Sequence, residues 1–548
     1  MKKMLEKKIQ LALSNLASQL DIHLENSATF TVEEPRDADH GHLATNAAMV
    51  MTKVFRKKPT ELADLIMAGI DNSEGYITKM EKAGPGFINF TLGIRWWAEA
   101  LGAMLAEGGN YGQGQAKEGQ VLVEYVSANP TGPLHVGHGR GAAIGDALVR
   151  VMRRAGYDVT AEYYINDAGR QMRVLGESLY IRLKELTGPT DPLPEGHYQG
   201  EYMITLAKEY QAENGLAVLG RPNEEAVAEL TGYAAGKILQ SIKDDLAEFR
   251  VNHEIWFSEK NLYTDGQVDK ALDFLKSRGQ LYEHEGALWF KSETLGDDKD
   301  RVLIKSNGDH TYFAADIAYH WNKFNRGFDS LIDIWGSDHH GYVPRMRASI
   351  EAMGREGNAL GVVLVQFVSL IRDGVPVAMS TRSGEFVTLK EVVDEVGADA
   401  ARFMFLTRSP DTTLEFDLDL AKAQTKDNPV YYVQYVGARI ESILKNADEY
   451  DRSSVDLARL IEPEETALIK HLASFPELIE SAARKREPHL LTAYLGNLAR
   501  LFHHYYGRHR IAGEEKALSV ARMELVRAVR LVVRLGLDLL GVESPDSM

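Results

Sequence analysis

Two histidines three residues apart stand in a segment otherwise built from small and rigid residues, Ser127-Ala-Asn-Pro-Thr-Gly-Pro-Leu-His135-Val-Gly-His138-Gly-Arg140. Val121–Val126 before it is an apolar strand pattern, and Val136–Ala155 after it reads as a helix stopped by Gly156. The histidines therefore fall in a strand-to-helix turn, where helix N–H groups and partial positive charge receive anionic ligands. Imidazoles in such a turn can donate hydrogen bonds to phosphate oxygens as charge builds up in a reaction. Gly137, with no side chain, lets a flat base or ribose approach the backbone. Without their context the same residues also suit an incidental pair or metal ligands on one helical face, although zinc pairs on helices more often stand at i and i+4.

Two carboxylates are placed for a cationic substrate: Glu124 near the end of the first strand and Asp316 in Tyr312-Phe-Ala-Ala-Asp316. A guanidinium presents five N–H donors in a rigid fork, which carboxylates match. A rim charge and a helix-start acid are the plainer readings of the two. Toward the C-terminus, Arg500-Leu-Phe-His-His-Tyr505-Tyr506-Gly-Arg508-His-Arg510 mixes aromatics with cations, the combination that stacks unpaired bases and holds phosphates. An aromatic core with surface arginines is the alternative. The whole chain has a net charge of −17, yet eleven Lys/Arg face four Glu between Arg484 and Arg534; a nucleic-acid patch and a solvated helical surface both fit that excess. Phe87 and Asn89 alternate along a strand pattern and share a face, one to stack on a base and the other to hydrogen-bond it, unless Phe87 belongs to the core.

The elements that must hold these residues are legible in outline. At 548 residues the chain has room for three or four domains of about 150 residues. A composition of 44% hydrophobic and 26% charged residues excludes disorder and fibre. The absence of cysteine removes disulfides, thiol catalysis and thiolate zinc sites. Four lysines in Met1–Lys8 lead into no secretory apolar run. The longest apolar stretch, Leu360–Ile371, includes Gln366 and Ser369 and falls short of the roughly 20 residues a bilayer needs, so a soluble, cytoplasmic chain is expected.

Leu5, Ile9, Leu13, Leu16 and Leu20 mark an opening amphipathic helix, and Pro59 and Thr60 introduce a second over Glu61–Ile70. Gly84-Pro85-Gly86 is a turn before the strand Phe87–Leu92, giving a small α/β module ending near Trp97. Gly108–Gly119 reads as a linker. The strand, helix and second strand Asp158–Ile165 form a βαβ unit, followed by a charged helical insertion over about Asn166–Leu281. Strand patterns return at Leu288–Phe290, Arg301–Ile304, Leu331–Trp335 and Gly361–Leu370. After Lys426 only helical patterns remain. The expected fold is a doubly wound, Rossmann-like parallel α/β domain with an N-terminal α/β module and a C-terminal all-α bundle. The expected divisions are residues 1–110, 119–395 with the insertion at 166–281, a connecting segment 396–425, and 426–548.

The histidine segment resembles the signature motif of class I aminoacyl-tRNA synthetases, in the form found in bacterial arginyl enzymes. Trp335-Gly-Ser-Asp338-His-His-Gly341-Tyr is similar to that family's nucleotide-site segment, and Met379-Ser380-Thr381-Arg382-Ser-Gly384-Glu-Phe-Val-Thr388-Leu to its second signature loop. Asn428-Pro-Val-Tyr-Tyr-Val-Gln-Tyr-Val-Gly-Ala438-Arg439-Ile440 resembles the start of its anticodon-binding domain, and Gly84–Phe90 its N-terminal module, which contacts the outer corner of the tRNA.

The resemblance implies ATP-dependent joining of L-arginine to its tRNA through an arginyl-adenylate, with tRNA required for activation. It places ATP on His135, Gly137, His138, Asp338, Met379 and Thr381, with His135, His138 and Arg382 catalytic. It places arginine on Glu124, Ser127, Asn129, Tyr312 and Asp316, with the two acids on the guanidinium, Tyr312 packing on the substrate and Asn129 orienting it. With it, tRNA is expected on Phe87 and Asn89 of the N-terminal module, and the aromatic and cationic segment adds Arg500, Tyr505, Arg508 and Arg510. Mg2+ is expected on the ATP phosphates, with no zinc, no membrane partner, no editing domain and a monomeric chain. One departure stands out: Ala378 and Thr381 occupy positions where the second loop usually offers lysines, leaving Arg382 as the cation inside the motif and Arg372 and Lys390 as its flanks. A nucleotidyltransferase with the same His-x-Gly-His turn and a non-catalytic tRNA-binding relative are the alternative readings.

Overall fold

The computed structural model describes residues 2–24, 29–35, 37–377, 386–445, 450–452 and 455–548. The first helix, α1 (Lys2–Gln19), buries Leu5, Ile9, Ala12, Leu13 and Ala17, the stripe its periodicity demands. A second, α2 (Pro59–Gly69), carries proline in its first turn, where a missing N–H costs nothing. They accompany a four-stranded sheet of β1 (Val32–Glu33), β2 (Leu43–Thr45), β3 (Ile77–Ala83) and β4 (Phe87–Leu92), ordered β1-β2-β4-β3. The expected end of this module near Trp97 falls inside a helix, α3 (Ile94–Glu107): Trp96, Trp97, Leu101 and Met104 continue one buried stripe past that point.

The central sheet is parallel. It begins with β5 (Gln120–Glu124), the helix α4 (Val136–Arg154) and β6 (Asp158–Ile165). Helices α5 (Arg170–Glu185), α6 (Glu201–Asn214) and α7 (Asn223–Glu248) follow. The stretch expected to be a wholly inserted helical region then returns to the sheet as β7 (Ile255–Ser258), which pairs with β6 and forms its edge. Four half-buried residues show no alternation, so this strand had no sequence signature. After α8 (Gln267–Ser277), the strands β8 (Leu281–His284), β9 (Ala287–Phe290) and β10 (Arg301–Ile304) make a separate antiparallel sheet.

Helix α9 (Tyr312–Asn325) leads to β11 (Ser330–Gly336) and β12 (Leu360–Val365), completing the order β12-β11-β5-β6-β7. The single strand expected over Gly361–Leu370 is two strands in two sheets. It breaks at Gln366, whose N–H donates to the Pro410 carbonyl (2.8 Å), and β13 (Val368–Arg372) pairs with β14 (Val375–Pro376) and β15 (Leu414–Asp417). Residues 396–425, expected as a connection, thus supply a strand and the helix α11 (Ala398–Phe405), which follows α10 (Leu389–Val396). The remainder is helical: α12 (Pro429–Lys445), α13 (Pro463–Ala473), α14 (Phe475–Lys485), α15 (Leu490–Arg508) and α16 (Lys516–Leu539).

Helix α4 is buried along most of its length and is anchored from behind. Arg402 of α11, fully buried, reaches the Asp146 carboxylate on α4, the Leu540 carbonyl (2.8 Å) and the Phe249 carbonyl (2.9 Å). Arg150 closes the same cluster through Asp146 (2.7 Å). A buried guanidinium is tolerated only when its donors are met, so these contacts fix the histidine-bearing helix against the C-terminal segment.

Candidate functional site

His135 is the N-cap of α4 and makes a reciprocal cap with His138. The His135 Nδ1 accepts the N–H groups of Gly137 (3.1 Å) and His138 (3.3 Å), and the His138 Nδ1 accepts the His135 N–H (3.3 Å). The rings stack with centroids 3.6 Å apart. Because both Nδ1 atoms accept, each neutral ring carries its proton on Nε2 and keeps that donor free of the cap. Burial lowers both groups, and His138, further lowered by His135, falls to about 3. The pair therefore offers neutral N–H donors at physiological pH.

A cleft of about 510 Å3 is lined by both histidines, Gly141, Trp335, Asp338 and Phe367. A second, of about 660 Å3, shares the histidines on another side and is walled by Thr131–Pro133 and Glu195–Gly200. A larger groove of about 1090 Å3 beside Lys2 and α14 contains neither histidine. Gly137 and Gly141 both line the first cleft, in different surroundings. A Cβ on Gly137 would lie 2.9 Å from His135 Cε1, so its bareness admits the folded-back ring, whereas Gly141 faces open space in the cleft. Met379, Thr381 and Arg382 lie outside the described residues. The segment after them is tied to the histidines: Val136 N–H donates to Val387 (3.2 Å) and Leu389 N–H to Leu134 (2.8 Å).

The expected strand through Val126 stops at Glu124, because Val126 and Ser127 take positive φ of 71° and 42°. For a β-branched residue this is strained by about 1–3 kcal/mol. The bend turns Ser127 back so that its Oγ accepts the Tyr164 N–H (3.1 Å) and donates to Glu124 Oε1 (2.9 Å). Asn129, next on the loop, donates to Gln171 (2.6 Å).

Glu124 is not a free carboxylate. Its Oε2 accepts from Lys323 Nζ (2.5 Å), which also donates to Asp333 (2.9 Å). Asp333 Oδ2 meets His320 Nε2 (2.8 Å), and His320 Nδ1 meets the Asp316 carbonyl (2.8 Å). Burial would raise Asp333, yet Lys323 and His320 hold it at about 2. Burial would lower Lys323, but Asp333 and Glu124 outweigh it and keep the ammonium above its usual range. Glu124 remains raised by burial, which Lys323 offsets only in part.

Asp316 differs from Glu124. It accepts from the Tyr342 hydroxyl and has no ion pair among the described residues, and burial raises it. Beside it lies Glu259, a carboxylate that sequence reading missed. Glu259 is buried and likewise without an ion pair among the described residues; burial first, then the Asp316 charge, push it up to about 7, while Tyr164 and Tyr263 donate to it. Its one sequence signal is position, just after the short edge strand β7. Tyr312 is 69% exposed at the start of α9. Two unpaired acids ringed by tyrosine hydroxyls suit a cation with several N–H donors.

On the helical side the expected aromatic set is corrected. Tyr505 is 0% exposed and reaches buried Glu465 (3.4 Å), so it belongs to the core. The available rings lie on α12 and α15: Tyr431 stacks on Tyr435 (6.1 Å), His503 lies against Tyr432 (4.7 Å) and Tyr435 (5.9 Å), and Arg439 covers Tyr435 (5.7 Å) and Tyr506 (4.9 Å). Part of the charge excess counted along the chain is offset in space by acids from other helices. Arg508 pairs with Glu464 (2.8 Å), Arg522 with Glu465 (2.8 Å) and Arg530 with Glu441 (2.8 Å), while Arg500 and Arg510 are exposed. In the N-terminal module Phe87 is 39% exposed at the strand's first residue, but Asn89 is only 7% exposed between β2 and β3. Alternation set their common face correctly; it does not report where neighbouring strands begin to cover that face.

Residues 3–92 match the model of the arginyl tRNA synthetase N-terminal domain, residues 100–417 that of the catalytic domain of class I tRNA synthetases (R), and residues 433–548 that of the DALR anticodon binding domain. The chain is 51% identical over 525 residues to the arginine–tRNA ligase of Desulfosudis oleivorans, covering 94% of each. It is 48% identical over 554 residues to that of Syntrophotalea carbinolica, covering 100% of each. The solved arginyl-tRNA synthetase of Thermus thermophilus, 23% identical, shares the fold over 100% of both chains with a TM-score of 0.79.

Proposed function

The chain belongs to the arginyl-tRNA synthetase family, and from that premise we propose that it joins L-arginine to its tRNA at the expense of ATP, through the residues described above. The observation that carries the residue assignment is the reciprocal histidine cap, which leaves two neutral Nε2–H donors at a helix N-terminus lining the cleft. In the first step the arginine carboxylate attacks the α-phosphorus of ATP; the new P–O bond gives arginyl-adenylate, and pyrophosphate leaves. Neutral donors fixed before reaction stabilise the growing phosphate charge without reorganising. The nucleoside lies along Gly141 with Phe367 and Trp335 beside it.

The arginine guanidinium lies between Asp316 and Glu259, with Tyr312 closing over it and Asn129 orienting the reacting end. The terminal ribose hydroxyl of tRNA enters by the second cleft, attacks the arginyl carbonyl and releases AMP. This reading takes Arg382, Met379 and Thr381 as the remaining contacts to ATP, and the α12–α15 aromatics with Arg500 and Arg510 as the RNA surface. Asp338, the carboxylate among the cleft residues named, would hold Mg2+ bound to the ATP phosphates, and the ion would offset their charge. We take the cytoplasm as the place where it charges tRNA.

A site that must satisfy five guanidinium donors rejects analogues lacking them and needs no second, editing site. Pyrophosphate exchange into ATP, measured with arginine and with or without tRNA, tests the proposal. Exchange requiring both is expected; exchange independent of arginine contradicts the substrate assignment, and exchange without tRNA contradicts the expected tRNA requirement.

A further inference from the structure

Like charges opposite one another on neighbouring strands repel, yet three carboxylates stand in one register row here. Asp333 of β11 faces Glu124 of β5, and Glu124 faces Glu162 of β6. All three are buried. The opposing charge comes from one helical stripe. His320, Lys323 and Arg326, three residues apart along α9 and its C-cap, share a face and meet the row in order: His320 on Asp333 (2.8 Å), Lys323 on Asp333 (2.9 Å) and Glu124 (2.5 Å), Arg326 on Glu162 (2.5 Å). His320 has both ring nitrogens against acceptor-only oxygens, Asp333 Oδ2 and the Asp316 carbonyl, so the ring satisfying both bonds carries two N–H groups. One turn earlier on the same stripe, at i−4 from His320, stands Asp316, without an ion pair among the described residues.

We propose that His320, Lys323 and Arg326 are positioning residues that set arginine specificity: they fill the row of sheet carboxylates with resident cations and leave Asp316, with Glu259, as the place where a substrate cation is required. The proposal rests on the reading of this pocket as the arginine site and assigns Glu124 a different part in it from the one its sequence position suggests. Glu124 belongs to Lys323, and through Ser127 it braces the strained loop rather than holding the guanidinium. Without Lys323 the Glu124 charge would be uncompensated, since His320 still meets Asp333 and Arg326 still meets Glu162, and a buried carboxylate so placed either takes up a proton or draws in the nearest cation. The nearest mobile cation is the substrate, which would be pulled off Asp316. The groups facing Glu124 are Lys323, His320 and Tyr319 from α9, Asp333 from β11, Glu162 and Tyr164 from β6, and Ser127 on its own loop. Among these Glu124 is the carboxylate already raised, and so the one that takes the proton.

The test is arginine- and tRNA-dependent pyrophosphate exchange between about pH 6 and about pH 8.5, in the wild type, Lys323→Met and Lys323→Met/Glu124→Gln. Lys323→Met should lower kcat at saturating arginine roughly 10²-fold at the alkaline end, the scale of a misplaced substrate, and recover toward the acid end as Glu124 protonates. The double variant, lacking that charge, should recover at both ends. Taking each variant as a ratio to wild type removes the Glu259 titration. A Lys323→Met deficit equal at every pH, or a double variant no better than the single, would overturn the proposal and leave the stripe a structural feature. If Lys323→Met does not fold, the double variant decides: its ratio to wild type must be flat across pH and within roughly tenfold. A wild type whose exchange ignores arginine would instead remove the underlying site reading.

Discussion

The side chains of His135 and His138 cap each other's backbone, Nδ1 to N–H in both directions, so the residues proposed to face ATP also build the first turn of their own helix. Structure and chemistry can be separated, because capping uses Nδ1 and the proposed phosphate contact uses Nε2. Asn is among the best N-cap residues. His135→Asn should keep the cap, change stability by no more than about 1 kcal/mol, and still slow activation about 10²-fold. His135→Ala should lose both. Thermal melts beside single-turnover adenylate formation check this; a His135→Asn enzyme near wild-type speed would remove the histidine from the reaction.

Glu259 gives the proposed arginine site a titration that the histidines do not. Its pKa is raised to about 7, so the folded protein holds a proton there that the unfolded chain releases near the ordinary glutamate value of about 4.3. Stability therefore falls as pH rises between those values, and a bound guanidinium relieves the loss. The increase in melting temperature caused by arginine should be larger at about pH 8 than at about pH 6, and the KM for arginine should fall over the same interval. Glu259→Gln should flatten both, and Asp316→Asn should raise KM throughout. An arginine effect with the same pH slope in Glu259→Gln would place that titration elsewhere.

The histidine turn and the βαβ unit were legible because strand, turn and helix each carry a local pattern and follow in order. What escaped has a common cause. Glu259 follows an edge strand too short to show alternation, and Lys323 reads as one more surface cation on α9 until the strand register sets Asp333 beside Glu124. Tyr505 and the C-terminal arginines show the converse. Composition there was read correctly, but whether a ring faces the core, or an arginine finds a glutamate forty or more residues away, is decided by helix packing.

The correction at Tyr505 is itself testable. Base stacking on an aromatic ring is worth about 1–3 kcal/mol by alanine substitution. Tyr431→Ala and Tyr435→Ala should weaken tRNA binding by that amount and leave the melting temperature close to wild type. Tyr505→Ala should cost about 3–5 kcal/mol of stability, as for other buried rings, while Tyr505→Phe keeps both fold and tRNA affinity. Filter binding and thermal melts of the four variants decide it; tRNA affinity lost in a stable Tyr505→Phe would return that ring to the interface.

Arg500, Arg508 and Arg510 differ in what they already hold, and that should order their effects on RNA binding. Arg508 is committed to Glu464, whose carboxyl is held down to about 2 by its own backbone N–H first, then by Arg508 and His509. Among the described residues Arg500 bonds the neutral Asn497 (2.8 Å), and Arg510 offers its carbonyl to Arg522 (2.8 Å), which leaves its guanidinium uncommitted by that bond. An exposed cation without an anion can release counterions from a phosphate backbone, each contact adding about 0.7–0.9 to the slope of log affinity against log salt. Arg500→Glu and Arg510→Glu should each weaken tRNA binding and flatten that slope by about one contact, whereas Arg508→Ala should change it less. The proposed ATP and arginine sites lie in the catalytic domain, so lost exchange activity should return at high tRNA concentration. Affinity measured across salt for the three variants checks the order; an Arg508 effect as large as that of Arg510 would show that the Glu464 pair opens to receive RNA, and an unchanged slope in all three would move the RNA surface away from α15.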